Sequence, residues 1–228
     1  NCRSSYSKTD PDAAFMHMKE DHMRSGQLKP GYNVQIAVNS EYITGAAAFP
    51  NRTDSGTLCP FLRRLEQKHG KQYRDIVADA GYESLYNYLY LERNGQTSFI
   101  KPINYEARKT KKFKQQIGRH ENMQYHERED CYVCAAGRKL VFRRESTQRN
   151  RQEYFQTMAY YRCEDCSGCP SRKTCCKAKD DSPKELRIQT DLLRLSGRSQ
   201  RNIETERGIT LRFNRSISGG RRFWCFEK

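Results

Sequence analysis

The sequence has no apolar run approaching the ~20 residues of a membrane-spanning helix, and its opening residues do not read as a signal peptide. Acidic residues are scarce: 27 Asp and Glu face 42 Lys and Arg, for a net charge of +15. Solubility does not require that excess, and it points to a polyanionic partner. No internal repeat is present. Wholesale disorder is disfavoured, because 36% of the residues are hydrophobic and 14 Tyr and 10 Phe are among them. A chain of 228 residues can bury a real core, as one domain with an insertion or as two small ones. The first residue is Asn1 rather than Met, so an upstream part is expected.

Cysteine is sparse over most of the chain and dense in one place. Cys2, Cys59 and Cys225 stand alone, while seven others fall between 131 and 176. Without a secretory signal, such a cluster reads as metal binding before it reads as disulfides. Its spacing is Cys131-x2-Cys134, then Cys163-x2-Cys166-x2-Cys169, then Cys175-Cys176. Two CxxC pairs about thirty residues apart match a zinc ribbon, in which four thiolates surround a tetrahedral ion. The expected structural zinc site is Cys131, Cys134, Cys163 and Cys166, with Cys169 and Cys175 as alternates. The competing reading is a reduced or disulfide-bonded cluster.

The periodicity predicts alternating elements. In GYNVQIAVN, Tyr32, Val34, Ile36 and Val38 share one face of a strand, and Asn33, Gln35 and Ala37 the other. A short turn leads into YITGAAAF, so the two strands form a hairpin. Asp54 and Ser55 are expected to cap a helix that carries Leu58, Phe61, Leu62 and Leu65 at i, i+3, i+4 and i+7 and stops at Gly70. A third strand ends at Asp79. Ser84 caps a second helix, which Gly95 ends, and TSFI is a fourth strand. A hairpin feeding a βαβ crossover implies a mixed sheet with helices packed on it. Beyond Pro102 the composition changes. RKTKKFK places five positive charges in seven residues, and CYVCAAGRKLVFRRE reads as a hairpin. ELRIQTDLLRL and ITLRFNRSI return to apolar spacing and read as helical.

DIVADAGYES raises a separate question, because Asp79 directly follows a buried run. It fits a turn residue at a strand end, and it equally fits a carboxylate held rigidly for a metal ion. Local spacing leaves both open.

The blocks TDPDA, KPGYNVQ, RTDSGTLCPFLRRLE and DAGYES, in that order, resemble the DDE transposases of bacterial insertion sequences. The closest likeness is to the branch with a cysteine-bearing insertion before its last catalytic residue. The resemblance implies an α/β fold of ribonuclease H type, a mixed sheet with flanking helices interrupted by a basic, cysteine-rich insertion. The implied divisions are 1–102, a partial catalytic core whose first strand lies upstream; 103–184, the insertion; and 185–228, a closing helical segment. The implied chemistry is cleavage and joining of DNA at insertion-sequence ends by phosphoryl transfer that depends on Mg (or Mn). The implied partners are element ends and target DNA, with a homo-oligomer in the active complex and no membrane. The implied setting is the bacterial cytoplasm, associated with DNA.

Residue by residue, the resemblance gives Asp79 the second acidic position and a metal-binding role. Nothing between Asn1 and Lys29 matches the Asp-Gly-Thr context of the first acid, and Asp10 and Asp12 read as helix-entry residues. Arg108, Lys109, Lys111, Lys112 and Lys114 become phosphate contacts rather than a merely solvated face. Near the end, Asn214-Arg215-Ser216-Ile217 fits the family pattern, but the Gln-Val-Glu-Gly expected next is replaced by SGGRRFWCFEK. A one-base shift of frame across Trp224-Cys225 forces a Gly there and allows, by codon choice, the rest of the family's Phe-Gly-Val-Leu-Lys run. A frameshift at or near Ser218 is therefore expected, leaving Gly220 where the last catalytic Glu belongs and the chain inactive. The alternative class is a zinc-ribbon DNA-binding module without catalysis.

Overall fold

A computed structural model describes residues 6–17, 26–40, 42–150, 154–178, 182–218 and 226–227. The chain divides into two compact units, Asn1–Pro102 with Ser196–Lys228, and Ile103–Leu195.

In the first unit β1 (Ala14–His17) pairs antiparallel with β2 (Leu28–Gly31), and β3 (Asn33–Asn39) with β4 (Tyr42–Phe49). Then come α1 (Leu58–His69), β5 (Asp75–Ala78), α2 (Leu85–Arg93) and β6 (Thr97–Ile100), with β5 and β6 parallel. The sequence-predicted order of strand, strand, helix, strand, helix, strand is therefore present. Its apolar spacing is also realised: Leu58, Phe61, Leu62 and Leu65 are all buried on α1. Gly70 closes α1 in the left-handed conformation at φ 64°, where a side chain would be strained. Ser84 caps α2, its hydroxyl accepting from the Asn87 amide.

Four local expectations are corrected. The buried face of β3 is the polar one: Gln35 and Ala37 are buried while Val34 is 57% exposed. Gln35 can be buried because its amide and carbonyl are both hydrogen-bonded, and a bulge between Ala37 and Val38 turns Val38 inward as well. Asp54 does not cap α1, since the cap position is Thr57 and no side chain caps it. Asp10 leads into strand β1 rather than a helix, its carboxylate folding back onto the amides of Asp12 and Ala13. Finally, β3–β4 and β5–β6 do not join into one sheet among the described residues. The other edge of β5 is taken by β12 (Phe226–Glu227), which runs antiparallel to it.

The second unit is built on a five-stranded antiparallel sheet. Its order is β11 (Glu185–Gln189), β10 (Phe155–Cys163), β9 (Lys139–Arg149), β8 (Cys131–Val133) and β7 (Gln124–His126). The predicted hairpin at CYVCAAGRKLVFRRE is β8–β9, turning through Cys134 to Gly137. ELRIQ is a strand rather than part of a helix, because Leu186 and Ile188 alternate inward against β10. Leu140, Ala159, Tyr161, Leu186 and Ile188 form the core on one face of the sheet. Two short helices, α3 (Lys111–Lys114) and α4 (Arg172–Cys175), lie outside it.

Two longer helices follow, α5 (Thr190–Glu204) and α6 (Glu206–Ser218). Ser199 on α5 is buried and serves the edge of β6: its hydroxyl accepts from the Ile100 amide at 2.9 Å and donates to the Ile100 carbonyl at 2.8 Å. Helix α6 is fastened to β5 twice, by Arg207 to Asp75 and by Arg215 to Asp79. The spacing explains the match. Eight helical residues rise ~12 Å, and four strand residues extend ~13 Å, so the second pair falls into place once the first has formed. Asp75 is buried, and among the described residues Arg207 supplies its ion pair. Replacing Arg207 by Gln is expected to cost about 1–3 kcal/mol of stability, part of which Asp75→Asn restores. Urea unfolding of the two variants is the check.

Candidate functional site

The carboxyl end of β5 is where charged groups converge in the first unit. Ile76, Val77 and Ala78 are buried, and the backbone of Asp79 is still extended before a single 3-10 turn over Ala80–Tyr82. A buried run that ends at the surface leaves the next side chain half exposed and firmly based. Asp79 Oδ1 accepts from Arg215 Nη1 at 2.6 Å.

Asp54 belongs to the same neighbourhood. Its Oδ1 accepts from Asn33 Nδ2 at 2.7 Å and Gln35 Nε2 at 3.3 Å. The Tyr82 hydroxyl donates to the Gln35 carbonyl oxygen. Burial drives the Tyr82 pKa up, the Asp54 carboxylate adds to that, Arg215 opposes it and Asp79 adds a smaller upward push. Gly81 is required by this packing, because a Cβ there would lie 2.9 Å from Asp54 Oδ2. Fully buried Asn87 ties the two loops together: its Nδ2 donates to the carbonyls of Tyr82 at 2.7 Å and Ser55 at 3.0 Å. Sequence reading picked out Asp79 but missed Asp54, Asn33, Gln35, Asn87 and Arg215. The available signals were the polar residues alternating along β3 and the position of Arg215 in the Arg-Ser-Ile stretch.

This site holds two carboxylates and one guanidinium. Among the described residues no group of three or more His, Cys, Asp and Glu side chains could hold a metal ion. The geometry therefore does not fit a two-metal acidic cage: Asp79 faces Arg215, and Asp54 is engaged by amides. The frameshift is expected at or near Ser218, the last residue of α6, and the residues that follow it, 219–225 with Gly220 among them, lie outside the described residues.

The cysteines fall on two sides of the second unit's sheet. Cys131 pairs with Val141, which also pairs with Arg162, whereas Cys163 pairs with Leu140 in the next row. Neighbouring rows face opposite sides, so Cys131 is on the face away from Cys163. Its thiol donates to Glu129. Cys134, Cys166 and Cys175 instead pack against the core cluster that contains Cys163. Arg138 clasps the two loops concerned, donating from Nη1 to the Asp165 carbonyl at 2.7 Å and from Nη2 to the Ser167 carbonyl at 2.9 Å. The Lys184 amide donates to Cys166 Sγ at 3.4 Å. Of the six predicted ligands, Cys134, Cys166 and Cys175 pack against the cluster that contains Cys163, Cys131 is set apart, and among the described residues no three are disposed to hold a metal ion. Cys169 is close through the backbone, its amide donating to the Cys166 carbonyl. All the described cysteines are free thiols, and Cys2 and Cys225 lie outside the described residues.

The basic run folds around Phe113. That ring is buried, Thr110 caps the short α3 by accepting from the Phe113 amide, and the Arg119 guanidinium lies 4.8 Å from the ring centre. Lys109 pairs with Glu106 at 3.1 Å. Lys111, Lys112 and Lys114 are exposed, and Arg108 is half-buried.

Residues 133–222 match the family model described as Transposase DDE domain. Neither a curated protein nor a solved structure matches the chain. The matched segment is less than half of the 228 residues. It takes in Cys134 to Cys176, β9 to β11, α5 and Arg215, and it leaves Asp79 and the run 108–114 outside. DDE transposases are enzymes of phosphoryl transfer that act on DNA and generally use Mg²⁺.

Burial raises the thiol pKa of Cys59 to about 12 and that of Cys163 to about 12. At pH 8 these two are expected to alkylate more slowly than the half-buried Cys134, Cys166 and Cys169, and to react fully once the chain is unfolded. Site-resolved mass spectrometry after timed iodoacetamide labelling reads this directly.

Proposed function

We propose that this chain is a catalytic-domain fragment of an insertion-sequence DDE transposase, one that holds DNA without cutting it. The observation that carries the reading is the Transposase DDE domain match over 133–222. The DAGYES block supports it from outside that segment, with its aspartate at the end of a buried parallel strand. In the parent enzyme Asp79 is the second acid, and magnesium there would stabilise the attacking and leaving oxygens of an in-line displacement at phosphorus.

This chain's own residues do less. Asp79 and Asp54 present two carboxylates, Arg215 neutralises the first, and no third acidic ligand joins them among the described residues. What remains is a rigid strand-end acid, a basic second unit and an overall charge suited to a polyanion. Lys111, Lys112 and Lys114 are exposed cations that can track phosphates without reading sequence. The expected outcome with supercoiled plasmid and Mg²⁺ or Mn²⁺ is binding without nicking. Reproducible metal-dependent nicking by the 228-residue chain, lost on Asp79→Asn, would overturn the inactive assignment and leave the transposase assignment standing.

The second reading, a zinc-ribbon DNA-binding module, is favoured by one observation: Cys134, Cys166 and Cys175 each pack against the core cluster that contains Cys163. The described side chains are not disposed as a ready metal site. On this reading the purified chain carries about one zinc per molecule, lost in Cys175→Ser and kept in Cys131→Ser. Zinc-free reduced protein that still binds DNA removes it.

A further inference from the structure

We propose that the bulged face of β9, β10 and β11 is a DNA-backbone site, a cleft in which Arg143, Arg144 and Arg162 take successive phosphates. This rests on the DNA-acting reading above and adds to it a surface that the basic run at 108–114 does not include.

In an unbroken strand, consecutive side chains face opposite sides of the sheet. Arg143 and Arg144 do not follow that rule. Tyr160 on β10 pairs with Arg144, but Tyr161 pairs with Phe142, so Arg143 is an extra residue at that step. A bulge of this kind re-aims the side chains next to it. As a result, both arginines line one cleft of about 450 Å³ together with Tyr160 and Arg162. Tyr160 and Arg162 point away from the core, alternating with the inward Tyr161 and Cys163, the last of which also borders the cleft.

The chemistry of the cleft suits a phosphodiester backbone. The Arg144 guanidinium lies 4.0 Å from the centre of the Tyr160 ring, a cation–π contact that uses none of its N–H donors. Guanidinium forks bind phosphate oxygens in pairs, unlike the point charge of lysine. Two carboxylates, Glu164 and Glu185, also line the cleft against the three arginines, and Glu185 is engaged by Arg187 at 3.2 Å. Among the described residues, no ion pair neutralises Arg143, Arg144 or Arg162. All three arginines are exposed, as a strand passing over the surface requires and an enclosed small-anion site does not. A single small anion would leave most of the cleft empty.

The test uses the 228-residue chain and a labelled DNA duplex of about 20 base pairs, with fluorescence anisotropy read across a salt series. Each phosphate contact contributes about 0.9 to the slope of log affinity against log salt. Arg143→Gln/Arg162→Gln is therefore expected to lower that slope by about 1.8, with Arg143→Lys/Arg162→Lys retaining most of it. Both positions are exposed, and an unchanged far-UV spectrum verifies folding. If the unaltered chain binds and the Gln variant keeps the full slope, the cleft assignment fails and the transposase reading stands. If the unaltered chain binds no duplex even at low salt, both fail. Displacement of duplex by inorganic phosphate at constant ionic strength would assign the cleft to a small anion and also overturn the proposal.

Discussion

The double fastening of α6 to β5 is the constraint on which the first unit depends. A four-residue strand has little ladder to hold it, and among the described residues β5 has only β6 and the two residues of β12 alongside. Arg207 and Arg215 add two charge-assisted contacts spaced to match the strand's own length. One of them neutralises an aspartate that is buried in the strand, where an unpaired charge would be costly. The other orients Asp79 at the strand's carboxyl end. The same register that makes the helix a structural brace thus brings a cation to the carboxylate at the strand's end.

A similar economy operates at β6. Its outer edge at Ile100 would leave backbone groups unpaired, and the Ser199 hydroxyl satisfies both of them across 99 residues of sequence. Chain leaving the first unit at Pro102 has to return at Ser196 for that bond to form. The segment between therefore folds as its own unit, with its own core and its own sheet.

Within that sheet the two faces have different work. One buries tyrosines, aliphatics and thiols; the other carries arginines and Tyr160. The bulge at Tyr160/Tyr161 changes which residues belong to which face without changing the composition of either strand. This is also why the cysteine set differs from the one that spacing suggests. A CxxC pair on a strand and its turn does not guarantee that both sulfurs reach one side, and Cys131 and Cys134 are divided in this way.

Much of the local structure was legible in the sequence. The spacing of Leu58, Phe61, Leu62 and Leu65, the Gly70 stop and the Ser84 cap depend on contacts within a turn or two of helix, where the residues alone decide. Asp79 was legible as the residue that ends a buried run. The inward face of β3 was not, because burying Gln35 is favourable only when Asp54 and Tyr82 arrive from elsewhere to bond it. The strand in ELRIQ was obscured by the helix that follows it, and it forms because β10 offers an edge with matching alternation. Asp54, Arg215 and the arginine cleft were hidden for a related reason: each is defined by a partner between 16 and 136 residues away. Short-range sterics, capping and hydrophobic period were determined by the sequence itself. The pairing of charges across α6 and β5, the two faces of the second sheet and the thiols that pack on one of them were decided only by tertiary structure, because they rest on register between distant segments, and a shift of one residue would reverse them.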